Sequence, residues 1–120
     1  MNTTPLPTLE FHLLGTPQIS RNGLVSTVLT AAKARALLYY LAMTASSHRP
    51  TQPRALLAAL LWGEGSDADA RGNLRKAIQQ LSTHFGAYLS IDHHTVGLRA
   101  DQPYAVDAID FVTAIAHPRT

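Results

Sequence analysis

Apolar and polar positions alternate through the first quarter of the chain. The alternation falls in three short runs, LEFHLL, QISR and LVSTVL, and the last two flank Asn22-Gly23. Alternation is typical of half-buried strands, and Asn-Gly favours a tight hairpin because both residues tolerate positive φ. We therefore expect the chain to open with an antiparallel sheet of about three strands.

The next segment, residues 31–45, has the apolar spacing of an amphipathic helix. Its apolar residues fall at i, i+3, i+4, i+7 and i+8, namely Ala34, Leu37, Leu38, Leu41 and Ala42. This spacing predicts one buried helix face. Thr30 is the expected N-cap, since its hydroxyl can accept a backbone N–H.

A shorter second helix is predicted after Thr51, which could cap it. Pro53 suits the first turn of a helix, where the missing N–H costs little. The expected apolar stripe consists of Leu56, Leu57, Leu60 and Leu61. The pair Trp62-Gly63 would end this helix.

A third helix is predicted from Asp67 or Asp69 to about Phe85, with Gly86 just beyond it. At 100° per residue, its apolar residues lie within about 60° of one another and form a core face. They are Leu74, Ile78, Leu81 and Phe85. The opposite face is centred near Lys76 and Thr83, and Gly72 on it would let another backbone or a phosphate approach closely.

Alternation returns in residues 89–91 and 96–98, on either side of Asp92-His93-His94. This pattern predicts a second β-hairpin with the histidines at its turn. A short helical spacing of apolar residues then follows at Ile109, Val112 and Ile115.

Composition places the chain among folded, non-membrane domains. It has 120 residues, 46% of them hydrophobic, and no cysteine. No apolar run approaches the roughly 18 residues of a membrane helix, and the start lacks the basic and apolar parts of a signal peptide. We expect a single main domain, and the absence of cysteine suits a reducing cytosol.

Charge is distributed unevenly although the formal net charge is only +2. No acidic residue occurs from Phe11 to Gly63, whereas that stretch contains Arg21, Lys33, Arg35, Arg49 and Arg54. Seven of the eight acidic residues lie from Glu64 onward. A one-sided field of this kind favours a polyanionic partner, and the alternative is a mildly basic surface with no partner.

Catalytic and metal-binding patterns are not evident. Only two of the six histidines are adjacent, His93 and His94, and neighbours in a strand point to opposite faces. The chain has no HExxH motif, nucleophile elbow or glycine-rich phosphate loop. We expect no enzyme activity, no metal site and no cofactor.

The polar face of the third helix has the residue types that read DNA. Arg and Lys bind guanine, and Gln binds adenine, in a major groove. The expected base-contacting residues are Arg75, Lys76, Gln79 and Gln80. The expected backbone-contacting residues are Lys33, Arg49, Arg54, Arg71 and Thr83. The alternative is an ordinary solvated helix face, which often has the same composition.

The order of elements is that of a winged helix. The second and third helices would form the helix-turn-helix, and the third would be the recognition helix. The second hairpin would be the wing, with His93, His94 and Thr95 near DNA. The predicted fold is thus α+β, with an N-terminal antiparallel sheet, a three-helix core and a C-terminal hairpin.

The chain resembles the OmpR/PhoB-type winged-helix domain at the N-terminus of SARP-class bacterial transcriptional activators. The matching segments are LEFHLLGTPQI, KARALLYYLAM, RALLAALLW, ARGNLRKAIQQLSTHFG and VDAIDFVTAI. The resemblance implies double-stranded DNA as partner, bound at promoter direct repeats, with RNA polymerase as a further partner. It also implies a monomer in isolation that binds DNA in tandem or as a dimer.

The resemblance also implies the division of the chain. Residues 1–8 would be a lead-in, residues 9–105 the winged-helix domain, and residues 106–120 the start of an activation domain or linker helix. The chain departs from the family at Ser82 and Thr83, where arginines are usual, and at Asp92, where a basic tip is usual. A winged helix that binds proteins and not DNA is therefore the alternative function.

Overall fold

The computed structural model describes residues 6–110, which form an α+β fold with seven short strands and three complete α-helices. Residues 107–110, at the end of the described range, are helical too. The strands are β1 Leu9–His12, β2 Gln18–Arg21, β3 Leu24–Val25, β4 Thr51–Pro53, β5 Leu89–Ile91, β6 Thr95–Leu98 and β7 Tyr104–Val106. The helices are α1 Ala32–Thr44, α2 Arg54–Trp62 and α3 Asp67–Phe85, and a 3-10 turn follows at Gly86–Tyr88. Val112, Ile115 and most of the proposed 106–120 segment lie outside the described residues, as does the start of the lead-in.

The described chain divides into two compact units. Residues 6–27 and 100–110 form the first, which we call the sheet unit. Residues 28–99 form the second, which we call the helical unit.

The sheet unit is a four-stranded sheet in the order β3-β2-β1-β7. The hairpin predicted at Asn22-Gly23 is confirmed, with φ of 56° and 78° at the two residues. The expected opening of about three antiparallel strands is confirmed, since β1 pairs antiparallel with β2 and β2 with β3. The sequence did not predict β7, which adds a fourth strand parallel to β1. The third strand is also shorter than LVSTVL suggests, since only Leu24 and Val25 pair with β2.

Asp107, the first residue after β7, is hydrogen-bonded to the backbone that follows β1. Its carboxylate accepts hydrogen bonds from the N–H groups of Leu13, at 2.7 Å, and Leu14, at 3.3 Å. Desolvation is the largest single influence on the pKa of Asp107 and raises it. The backbone N–H groups of Leu13, Leu14 and Ala108 outweigh it and hold that pKa below its usual value.

The core face of α1 is confirmed. The five residues of the predicted stripe are its buried residues. The predicted cap is wrong, because Ala31 is the N-cap and no side chain caps the helix. The carbonyl of Thr30 instead accepts a hydrogen bond from the Arg35 guanidinium, at 2.8 Å.

The start of α2 differs from the prediction. Thr51 is not a cap, because Thr51–Pro53 pair antiparallel with β6 and α2 begins only at Arg54. Pro53 ends this strand at the edge of the sheet, where a missing N–H is tolerated. Gly97 of β6 allows the pairing, since a Cβ there would lie only 2.5 Å from the Pro50 carbonyl oxygen.

The predicted stripe of α2 is only partly right. Leu57 is fully buried and Ala58 nearly so, whereas Leu56 and Leu60 are 44% and 54% exposed. Leu61 is half-buried. The helix is apolar on nearly every side, so its periodicity does not say which side packs against α1 and α3.

The predicted core face of α3 is confirmed, and so is the second hairpin. Leu74, Ile78, Leu81 and Phe85 are all buried, and α3 packs against α1 and α2. β5 and β6 pair antiparallel, and β4 extends them to a three-stranded sheet in the order β4-β6-β5. Gly86 does not take the left-handed conformation of a helix-ending glycine. Its φ is −54° and it begins the 3-10 turn.

Candidate nucleic-acid interface

One long surface of α3 presents polar side chains to solvent. We call it the α3 outer face and define it by six exposed residues: Arg71, Arg75, Lys76, Gln79, Gln80 and Thr83. They are exposed because the opposite side of the helix is fixed in the core. Four of them are the base-contacting residues expected from sequence, and all four lie on this one surface.

The acidic residues of α3 are confined to its first turn, before the outer face begins. Ser66 is the N-cap, and its hydroxyl accepts a hydrogen bond from the Asp69 N–H at 3.1 Å. Asp67 and Asp69 lie in the first turn, where the unpaired backbone N–H groups stabilise negatively charged carboxylates. No acidic residue follows from Arg71 to Phe85, so the outer face presents only cationic and neutral groups.

The α3 outer face also has an open position at Gly72. A Cβ placed there would meet no atom within 4 Å. The glycine therefore relieves no crowding inside the protein, and it leaves room for a close approach from outside.

The Thr83 hydroxyl is less available to donate to a phosphate than the other polar groups of the α3 outer face. Its hydroxyl donates to the Gln79 carbonyl one turn earlier, at 2.9 Å. The hydroxyl proton is thus used within the helix, and its oxygen remains exposed only as an acceptor.

Lys33 joins α1 to the end of α2. Its ammonium donates to the Leu61 carbonyl and lies 5.6 Å from the centroid of the Trp62 ring. The first contact satisfies a carbonyl at the end of α2, and the second is a cation–π interaction. Lys33 was expected to contact phosphate, and in the structure its ammonium links α1 to the end of α2.

A shallow recess brings Lys33 together with part of the α3 outer face. Its lining includes Lys33, Trp62, Asn73, Lys76 and Gln80. Sequence reasoning missed Asn73, although it is spaced i, i+3 and i+7 with Lys76 and Gln80 and so shares one helix face with them. Trp62, at the end of α2, is half-buried.

The remaining expected backbone contacts lie on different elements. Arg49 is exposed in the connection between α1 and β4, where its carbonyl accepts from the Gln52 amide at 2.6 Å. Arg71 is exposed in the second turn of α3. Among the described residues, no hydrogen bond links Arg49 to Arg71.

The turn of the β5–β6 hairpin is organised by Asp92. One of its carboxylate oxygens accepts from the N–H groups of His94 and Thr95, both at 2.7 Å. The Thr95 hydroxyl donates to both carboxylate oxygens at 3.1 Å. The backbone N–H of His94 and then that of Thr95 are the main causes that lower the pKa of Asp92.

The three residues expected at the tip differ in accessibility. His93 and His94 are exposed, and Thr95 is half-buried. The Thr95 hydroxyl is already bonded to Asp92, so the two histidines are the more accessible of the three residues.

Arg54 lies against this turn. Its Nε donates to the Asp92 carbonyl at 2.9 Å, and its backbone N–H donates to the His94 carbonyl at 2.8 Å. Sequence reasoning expected Arg54 to contact phosphate and missed its link to the hairpin. The Asp-x-x-Thr spacing at 92–95 signals a side-chain-stabilised turn, but nothing in it points to residue 54.

Within residues 6–110 no group of three or more His, Asp or Glu residues is placed to hold a metal ion. The same residues include no helix long and apolar enough to cross a membrane. No protein-family model matches the chain, and no curated protein is significantly similar to it.

Proposed function

We propose that the helical unit is a winged helix-turn-helix domain that binds double-stranded DNA in a sequence-specific way. α2 and α3 form the helix-turn-helix, α3 enters the major groove, and the β5–β6 hairpin is the wing. The observation that carries the proposal is the α3 outer face. Its arginine, lysine and glutamine side chains are all exposed, and no acidic residue interrupts them.

The chemistry of these side chains suits both parts of DNA recognition. Arg75, Lys76, Gln79 and Gln80 offer donors for base edges, while Arg71 and Arg49 offer charge for phosphates. The absence of a Cβ at Gly72 leaves room for the DNA backbone at the helix surface.

Salt-dependent binding to a mixed-sequence duplex tests the proposal. Each phosphate that a protein neutralises contributes about −0.9 to the slope of log K against log salt. We expect a measurable negative slope for the natural protein and a weaker affinity for Arg75→Ala/Lys76→Ala.

A matched control separates the local effect from net charge. Leu56→Glu/Leu60→Glu lowers the formal charge by the same two units, on the exposed side of α2. We expect it to reduce affinity far less than the α3 substitutions. Equal losses in the two variants would mean that α3 is not the contact surface.

We further propose that the chain is the DNA-binding part of a SARP-class transcriptional activator in the bacterial cytoplasm. Direct promoter repeats would be its target, and RNA polymerase a further partner. Titrating one-site and two-site duplexes of equal length tests this. Tighter binding per site on the repeat is expected, and equal affinities without stepwise occupancy would contradict it.

A protein-binding module is the second candidate. The exposed Leu56 and Leu60 of α2 and the absence of arginine at Ser82 and Thr83 favour it. Its expected result is a duplex affinity that is negligible at all salt concentrations.

A further inference from the structure

The first residue of α2 is bonded twice to the turn of the β5–β6 hairpin. The backbone N–H of Arg54 donates to the His94 carbonyl at 2.8 Å. Its side-chain Nε donates to the Asp92 carbonyl at 2.9 Å. The two acceptors lie at the two ends of the three-residue turn, so Arg54 bridges it.

The turn that Arg54 bridges is itself held together by Asp92. The Asp92 carboxylate accepts from the His94 and Thr95 N–H groups, and its own N–H donates to the Thr95 carbonyl at 3.0 Å. A group that fixes the Asp92 carbonyl therefore fixes the whole turn.

The chain reaches Arg54 directly from the same sheet. β4 ends at Pro53, which is opposite Thr95 of β6 in the pairing. The backbone thus brings α2 to the hairpin at one point. The Arg54 side chain adds a second point of attachment further along the turn, and two points define an orientation where one allows rotation.

We infer that Arg54 is a positioning residue, whose Nε–H sets the orientation of the β5–β6 turn relative to α2. The consequence for DNA rests on the function proposed above. In that setting Arg54 aims His93 and His94 and does not itself neutralise a phosphate.

Two conservative substitutions separate the donor from the charge. Glutamine has an N–H donor at the same distance along the side chain as the arginine Nε, but no charge. Lysine keeps the charge and has no donor at that distance. Methionine has neither the donor nor the charge, so Arg54→Met is the reference for the loss of both.

The first measurement uses the free protein. We expect the His94 and Thr95 amides of Arg54→Met and Arg54→Lys to exchange hydrogen about 2- to 10-fold faster, the range of one lost hydrogen bond. Arg54→Gln should exchange like the natural protein. The Leu41 amide in the buried part of α1 is the internal reference for any global change in stability.

Unchanged exchange at the turn in Arg54→Met overturns the inference. So does rapid exchange in Arg54→Gln together with normal exchange in Arg54→Lys, because the charge and not the donor would then matter.

The second measurement is the salt slope of duplex binding. We expect Arg54→Gln to keep the natural slope, whereas a phosphate-contacting arginine would lose about 0.9 of it. A loss of that size overturns the inference. If the natural protein binds no duplex at any salt concentration, the proposed function fails, and the exchange measurement still decides the role of Arg54.

Discussion

The exposed sides of α2 and α3 differ in their chemistry. α2 presents Leu56 and Leu60 to solvent, with no charged residue after Arg54. α3 presents three cations and two glutamine amides. The two helices are neighbours in the chain, and they pack against each other. The contrast is between an exposed helix side made of polar and cationic groups and one made of apolar groups.

The two helices also begin differently. α3 has a local N-cap, the hydroxyl of Ser66, and acidic residues in its first turn. α2 has no side-chain cap and begins at the end of a strand, where Arg54 is bonded to the hairpin turn. The start of α3 thus depends on adjacent residues, and the start of α2 depends on residues some forty positions away.

The largest expected effect compares one leucine from each helix. Leu81 of α3 is fully buried, whereas Leu60 of α2 is 54% exposed. Leu81→Ala should lower the free energy of unfolding by about 2–5 kcal/mol because it leaves a cavity. Leu60→Ala should change it by no more than about 0.5 kcal/mol. Urea unfolding measures both, and similar losses would mean that α2 buries the Leu60 side in solution.

The second prediction concerns sequence preference. Gln79→Ala on the α3 outer face should remove a bidentate base contact and reduce discrimination by about 1–3 kcal/mol at one base pair. Leu56→Ala on α2 is the control and should leave the preference intact. Competition among single-base variants of a bound duplex measures this. If the Gln79→Ala protein ranks the duplex variants in the same order as the wild-type protein, Gln79 does not read a base.

Gly72→Ala should have opposite effects on stability and on binding. A methyl group fits there without a clash, and alanine stabilises a helix interior by about 0.5–1 kcal/mol relative to glycine. The same methyl group should weaken duplex binding if DNA approaches α3 closely at this position. Thermal unfolding and duplex titration give the two results, and a more stable protein with unchanged affinity would place Gly72 outside the contact.

The smallest effect should appear in acid at the turn that holds the start of α2. Because the folded form lowers the pKa of Asp92 below 3.8, its ionised carboxylate stabilises the turn above that pH. This contribution should be lost as the pH falls through the lowered pKa. His94 also contributes to this lowering of the Asp92 pKa, and the Arg54 Nε is bonded to the Asp92 carbonyl.

Amide exchange at low pH, corrected for the intrinsic rates, measures this loss. The Thr95 amide should lose protection before the Asp69 amide, whose acceptor is the non-titrating Ser66 hydroxyl. Asp92→Asn should remove the difference in pH dependence between the two amides. An unchanged Thr95 profile in that variant would assign the acid effect to another group.

The sequence by itself determined the features that depend on neighbouring residues. The buried stripe of α1, the core face of α3 and the Asn22-Gly23 hairpin follow from periodicity and turn chemistry, which need no knowledge of the rest of the chain. The α3 outer face follows from the same periodicity, since the side opposite a clear core face must be exposed. Its ability to read DNA remains a prediction from residue types.

Only the tertiary structure decided the features that depend on distant partners. The strands β4 (TQP) and β7 (YAV) show no alternation of apolar and polar residues, and they exist because β6 and β1 offer unpaired edges. The buried side of α2 could not be predicted, because leucine and alanine surround the helix and packing against α1 and α3 selects Leu57 and Ala58. The role of Arg54 also depends on a distant partner, so the sequence alone suggested only a cation that could contact phosphate. Its acceptor is a backbone carbonyl 38 residues away, and a carbonyl has no signature in the sequence.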